Sequence, residues 1–292
     1  MSDLLLSYGN IINLCLLNSL LSYGVYLALS ANLFTLATAG FMALGAYCSV
    51  FLTMKLGIPF AAAVVGGGVF SAIFAFVLGV PLLRLKGDYF ALATFAFTEV
   101  VRIIALNWDS VTGGALGIIN IPRYTQTLHL AALVALVIYL TWALRTSYIG
   151  RATATLREDD VLAASMGIDV FSYRLTLFVG SGLISGAAGA LAAHLNFFIG
   201  PNDFGLLRSV DALAFPILGG LHWLLGPLIG AVVFTLLPEV FRFSTQLRDI
   251  LMGGVLLLVV LFLPGGIMSV AQAGRKLSAL LRMSGRATAA EQ

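Results

Sequence analysis

At 292 residues, 60% of them hydrophobic and 10% charged, the chain lies far from soluble globular domains, in which about a quarter of residues carry charge. Its formal net charge of +3 comes from scattered loop arginines and gives no reason to expect a nucleic-acid partner. Several apolar runs reach the ~20 residues that cross a bilayer as a helix, and they do not alternate as ~10-residue barrel strands do. This specifies an all-α polytopic membrane protein.

The N-terminus, Met1-Ser2-Asp3, has no basic region, and no clear small-residue cleavage site follows, so the first apolar run is expected to be a retained span. Apolar segments fall at 10–30, 33–54, 58–84, 89–106, 128–146, 174–197, 210–221, 224–240 and 249–264. Together they predict eight to ten transmembrane or half-membrane helices, in a transmembrane domain over 1–270 followed by a basic cytoplasmic tail over 271–292. Pro216, Gly219-Gly220, Pro227 and Pro238 interrupt the short pair around 210–240, which suggests half-helices or a re-entrant hairpin. Cys15 and Cys48 lie inside apolar runs and are expected to be small buried hydrophobes. Small residues recur every fourth position at Ser181, Ser185 and Gly189, at Gly182, Gly186 and Ala190, and at Gly226 and Gly230, a spacing that lets helix backbones approach closely. One faint internal echo, Phe41-Met42-Ala43-Leu44-Gly45 against Phe215-Pro216-Ile217-Leu218-Gly219, is of the kind that weak inverted repeats leave.

Lysine and arginine set the orientation. With 145–174 inside, the inner loops and tail hold ten basic residues and the outer loops five (Lys55, Arg123, Arg208, Arg242 and Arg248). This puts the N-terminus outside and the C-terminus inside.

Chemistry-bearing residues are few. None of Lys55, Lys86 and Lys276 is preceded by Gly or followed by Ser or Thr, so there is no P-loop end. His129, His194 and His222 lack metal-ligand spacing, and no serine, cysteine or carboxylate constellation argues for catalysis. Gly66-Gly67-Gly68 fits helix packing better than phosphate binding. Within the apolar segment 89–106, Glu99 and Arg102 stand three apart on one helix face, either lining a wet path or forming a structural ion pair. The following loop, Asn107 to Ile118, combines Trp108, Thr112 and three glycines including Gly113, and suits either an outer pathway mouth or an ordinary interfacial turn.

Midway, the segment from Arg145 to Arg174 holds four arginines and four acidic residues in a chain otherwise poor in charge. After Arg157, Glu158 and Asp159, the residues Asp160, Ala163/Ala164 and Gly167 fall at spacings of three and four, giving one narrow face of a short helix that Gly167 can end. It is either a docking face or a solvated loop helix.

In combination, Gly87 to Thr94 with Glu99 to Arg102, Asn107 to Gly114 with Gly117-Ile118, Gly150 to Ile168, Ala214 to Gly220 with Gly226 to Ala231, and Leu263-Pro264-Gly265-Gly266-Ile267 resemble the permease subunits of branched-chain amino acid ABC importers, specifically the M-type partner. The likeness spans about residues 30 to 268. It implies a coupling helix between Glu158 and Gly167, within a cytoplasmic segment over about 146–173, with Arg157, Glu158, Asp159, Ala163, Ala164 and Gly167 facing an ATPase. It also implies a second homologous permease, two ATP-binding subunits that carry ATP and Mg (no cofactor on this chain), a periplasmic binding protein, and a place in the bacterial inner membrane. Glu99, Arg102, Thr112, Gly113 and Phe215 are the positions expected near the substrate path. Where relatives commonly carry a Ser-Leu-Gly-Gln-like run, this chain has Thr35-Leu36-Ala37-Thr38, which leaves urea, short amides or another small carboxylate as alternative cargo. An ion-coupled secondary transporter working through Glu99 is a further alternative.

Overall fold

The computed structural model describes residues 2–85 and 87–240, without the side chains of 2–8, Glu158, 239 and 240, together with the isolated positions 253, 254, 257, 261, 266 and 267. The expected ninth apolar segment and the basic tail therefore lie outside the described residues, apart from those positions. The other eight apolar segments all form helices: α1 (Ser2–Ser30), α2 (Thr38–Met54), α3 (Phe60–Leu82), α4 (Asp88–Asn107), α6 (Thr127–Thr146), α9 (Val170–Asn196), α10 (Leu206–Gly219) and α11 (Gly226–Val240). Three short helices lie in the loops, α5 (Asp109–Thr112), α7 (Tyr148–Glu158) and α8 (Asp160–Ser165). Among the described residues five helices, α1, α3, α4, α6 and α9, are long and apolar enough to cross a membrane. The protein is a multi-pass, all-helical membrane protein.

Two helices form the centre. The spanning windows of α1 and α9 are 78% and 72% buried, whereas those of α3, α4 and α6 are 33% or less and turn their apolar faces outward. In lipid there is little hydrophobic drive between helices, so close packing must supply the attraction, and small residues permit it. The stripes on α9 do this with different neighbours. Ser181 and Ser185 face Gly24 of α1, Gly189 lies against the Met42 carbonyl of α2, and Gly182 and Gly186 lie against Ala75 and Ser71 of α3. Gly45 on α2 meets the Gly186 backbone, and Gly67 and Gly68 on α3 meet Gly45 and Leu183. The glycine triplet is thus a packing surface.

Contacts between loops sort the helix ends into two faces. On one, Arg174 reaches the Ala31 carbonyl and Arg145 the Tyr26 hydroxyl. On the other, Lys55 bonds the Ser110 carbonyl, Ile118 pairs with Ile199, and Thr53 meets His194. The first face carries α7, α8, Arg84, Arg145, Arg151, Arg157 and Arg174, so the positive-inside rule makes it cytoplasmic. Helix α1 runs from the outer face to the inner one, as expected from the charge count.

α2 begins inside the bundle. The chain leaves α1 near the inner face, runs without regular structure through 31–37, and becomes helical only at Thr38. Alternate residues of this stretch are buried, with Leu33, Thr35 and Ala37 all under 7% exposed while Phe34 is 50% exposed, so the inward-facing backbone needs protein partners. Hydroxyls provide them. Leu36 N donates to Thr94 Oγ1 (3.0 Å), while Thr98 Oγ1 and Ser209 Oγ each donate to the Leu36 carbonyl (2.8 Å).

Helix α10 has 14 residues, about 21 Å at 1.5 Å per residue, which is shorter than the bilayer core, and with α11, which is described as far as Val240, it forms a hairpin. Its arms touch through glycine: Gly219 lies against the Gly226 carbonyl and Gly230 against that of Phe215. Gly266 abuts Gly219 and Gly220, so that part of the Leu-Pro-Gly-Gly-Ile run packs on the hairpin turn. Ser22 and Tyr23 of α1 donate to the Pro227 and Leu224 carbonyls (both 2.8 Å), fixing the hairpin to the central helix.

Candidate functional site

The cytoplasmic segment departs from the single short helix that the spacing suggested. Asp159 adopts an extended conformation (φ −156°, ψ 125°) and divides the segment into α7 and α8. Its Oδ1 accepts from the amides of Val161 (2.7 Å) and Leu162 (3.3 Å), so it serves as the N-cap of α8. At the other end Gly167 N donates to the Ala164 carbonyl (3.0 Å) and Ile168 N to that of Ala163 (3.1 Å), the paired bonds of a Schellman ending. Gly167 has φ +79°, yet a Cβ placed there would meet nothing within 4 Å. The glycine is therefore needed for backbone conformation, and the space beyond it is open.

The expected narrow face is divided as well. Asp160 forms an ion pair with Arg174 on α9 through both oxygens (2.8 and 2.9 Å). Ala163 is fully buried against its own chain. Ala164 and Gly167 do point outward, and they are joined by large apolar side chains the spacing argument did not single out: Val161 (77% exposed), Leu162 and Met166 (64%). Arg157, at the end of α7, turns inward and donates to the Leu221 carbonyl of the hairpin turn (3.3 Å). Asp169 caps α9, and the Ser172 hydroxyl and amide hold its carboxyl below the ordinary carboxylate range.

The intramembrane pair is formed. Arg102 Nη2 lies 2.7 Å from Glu99 Oε2 and Nη1 donates to Asn202 Oδ1 (3.3 Å), which ties α4 to the 3-10 turn at Pro201–Phe204. Both side chains are about a quarter exposed. Thr112 uses its hydroxyl on the Ala105 and Trp108 carbonyls (2.6 and 2.7 Å), and Gly113 ends α5 at φ +72°. Phe215 is 1% exposed and packs edge-on against Phe234 of α11 (centroids 5.3 Å apart).

Two polar features were not legible in the sequence. Arg208, counted above with the outer loops, sits in the first turn of α10 and donates to Asn18 Oδ1 of α1 (2.8 Å), while Asn18 Nδ2 donates to Thr235 of α11 (2.9 Å). The other is the break before α2. There the Thr38 hydroxyl is 1% exposed and has no protein partner among the described residues. Thr94, Thr98 and Ser209 look like ordinary small residues in a sequence, because nothing local shows that they face an irregular strand.

Residues 7–260 match the family model described as the branched-chain amino acid transport system / permease component. The chain belongs to this family. It is 31% identical to the high-affinity branched-chain amino acid transport system permease protein LivM of Salmonella typhimurium and 30% identical to LivM of Escherichia coli, in each case over 85% of this chain. It spans 66% of the length of those relatives. It also matches the LivH permease protein of Escherichia coli at 28% identity over 44% of the chain and 42% of that protein. No solved structure matches it significantly. Within this permease family member, no group of three or more His, Cys, Asp or Glu suited to a metal occurs among the described residues.

Proposed function

We propose that this chain is the M-type membrane subunit of an ATP-binding-cassette importer in a bacterial inner membrane, carrying branched-chain amino acids. The observation that carries the reading is the LivM likeness over 85% of the chain. Partial likeness to LivH supports a homologous second permease as partner, and in this reading ATP and Mg are carried by separate ATPase subunits. A periplasmic binding protein delivers the cargo.

The α8 ledge is the ATPase contact in this reading. Val161, Leu162, Met166 and the open space at Gly167 give it an exposed apolar surface at the cytoplasmic face, and such surfaces are characteristic of protein contacts. The Asp160–Arg174 pair joins the ledge to α9, so a push on α8 reaches the helix around which α1, α2 and α3 pack. The cargo path runs by the break before α2. Discontinuous helices bind substrates because their free N-terminal amides favour an anionic group, and the unpartnered Thr38 hydroxyl stands in that first turn. Glu99 and Arg102 lie toward its outer mouth, with Thr112, Gly113 and Phe215 supporting the surrounding structure.

The test is uptake in proteoliposomes containing the full chain, its second permease, both ATPases and the binding protein. Leucine uptake is expected to need ATP, and urea and short amides are expected not to compete. Gly167→Trp and Glu158→Lys should leave the protein inserted while ATP hydrolysis no longer drives uptake. Uptake by this chain alone, driven by an ion gradient, overturns the reading.

A further inference from the structure

Between the inner ends of α1 and α6, helix α7 and the α10–α11 turn lies a cavity of about 570 Å³ that the cargo path does not use. Its polar wall is basic, with Arg145 of α6, Arg157 of α7 and His222 of the turn, and Leu144 and Ile149 contribute to an apolar wall. Arg145 Nε donates to the Tyr26 hydroxyl (2.7 Å), and its Nη2 to the carbonyls of Leu221 (3.3 Å) and His222 (3.0 Å). Arg157 Nη1 donates to the same Leu221 carbonyl (3.3 Å).

Two guanidinium groups thus converge on one carbonyl oxygen, half-buried, and neither is paired with a carboxylate among the side chains that are described, which do not include Glu158. Arg102 and Arg174 each have one. The Nη1 group of Arg145 and the Nε and Nη2 groups of Arg157 also have no protein acceptor among the described residues. Like charges drawn together away from bulk water are unfavourable without a counter-ion, and the planar forks of arginine match a phosphate oxyanion. The depth of the cavity indicates where that phosphate comes from. Tyr139 (60% exposed) and Trp142 near the inner end of α6 and Tyr148 at the start of α7 are exposed at this end of the bundle, as in the aromatic belt where a bilayer meets water. Basic pockets at this level on the cytoplasmic side suit lipid headgroups.

We propose that this cavity binds the phosphate headgroup of an anionic phospholipid of the cytoplasmic leaflet, held by Arg145 and Arg157. The bound lipid joins α7, and through it the α8 ledge, to α6 and to the hairpin turn. This assignment rests on the inner-face orientation and not on the identity of the cargo, and its test measures no transport.

The full chain is placed in nanodiscs of phosphatidylcholine, with and without phosphatidylglycerol, and its unfolding temperature is followed. Phosphatidylglycerol is expected to raise that temperature saturably, while inorganic phosphate in phosphatidylcholine discs does not. The Arg145→Gln/Arg157→Gln double variant should raise the half-saturating lipid fraction roughly tenfold or more. Ala154→Phe, at an exposed position lining the cavity, should do the same with both arginines intact, which keeps the test decisive if the double variant fails to fold. An equal phosphatidylglycerol effect in wild type and both variants overturns the proposal. Inorganic phosphate reproducing the whole effect overturns the lipid assignment in favour of a free anion. Stabilisation by added ATPase subunits alone, lost in the double variant, overturns it in favour of an acidic protein partner.

Discussion

The carbonyl oxygen of Leu36 accepts from two hydroxyls, Thr98 and Ser209, on two different helices. That one atom shows how this protein keeps irregular backbone inside a membrane, where an unpaired peptide group costs several kcal/mol. Thr98→Val removes one of the two donors and is expected to lower stability by about 1–2 kcal/mol, read as a shift of the denaturant midpoint in detergent. Thr38→Val should behave differently. Its hydroxyl has no protein partner, so the isosteric change should leave the midpoint in place while lowering leucine uptake in the reconstituted importer. A fall in stability with unchanged uptake would remove Thr38 from the path. Neither role was legible in the sequence, since a threonine in an apolar run carries no sign of what it faces across 58 to 173 residues of chain.

Among the helices, α9 shows how far a local pattern can be read. Its four-residue stripes of small residues predicted close packing, and close packing is what they provide. Assigning Gly189 to α2, Ser185 to α1 and Gly186 to α3 required the structure, because a stripe records how near a neighbour comes and not which neighbour it is. The distinction is measurable. Gly189→Leu drives a side chain into the Met42 backbone and should destabilise by about 1–3 kcal/mol or block assembly. At Gly180 an added Cβ meets only the flexible end of Leu27 at 3.3 Å, so Gly180→Ala should be neutral or slightly stabilising because alanine is the better helix former. Comparable losses in the two variants would show that the stripe does not direct packing. For α7 and α8 the charge pattern located the element, while the extended Asp159 broke it and the Asp160–Arg174 pair turned one side of α8 toward the bundle.

At the scale of the molecule, every described loop contact is consistent with one orientation. In a chain lacking Cys15 and Cys48, Arg123→Cys should react with an impermeant thiol reagent added outside intact cells, and Ser165→Cys only after the membrane is opened. The reverse pattern would invert the topology. The weak echo between 41–45 and 215–219 also gains a physical setting. Both copies lie in short helices, α2 and α10, that run in opposite directions and make contact; α2 follows the irregular stretch 31–37, and α10 follows the 3-10 turn at Pro201–Phe204. Gly45 and Gly219 both let a neighbouring backbone come close. Interrupted helices of opposite direction that meet inside a bundle are the arrangement in which transporters hold substrates.

Hydrophobic run length, the positions of glycine and proline, and the arginine distribution were enough, from the sequence by itself, to determine the membrane class, the eight described apolar helices and the place of the charged segment between α6 and α9. These properties are local, since each depends on residues within about twenty positions of one another and on the lipid they must cross. Only the tertiary structure decided which hydroxyls support the break before α2, that Ala163 turns inward while Val161 and Met166 face out, and that Arg145 and Arg157 meet over one carbonyl. Each of these depends on groups far apart in the chain arriving at the same point, and residue spacing carries no record of that. In the proposed function the short helix α2, with its buried irregular entry, is the centre of transport, and the cavity beneath α7 is the proposed place where the bilayer influences it.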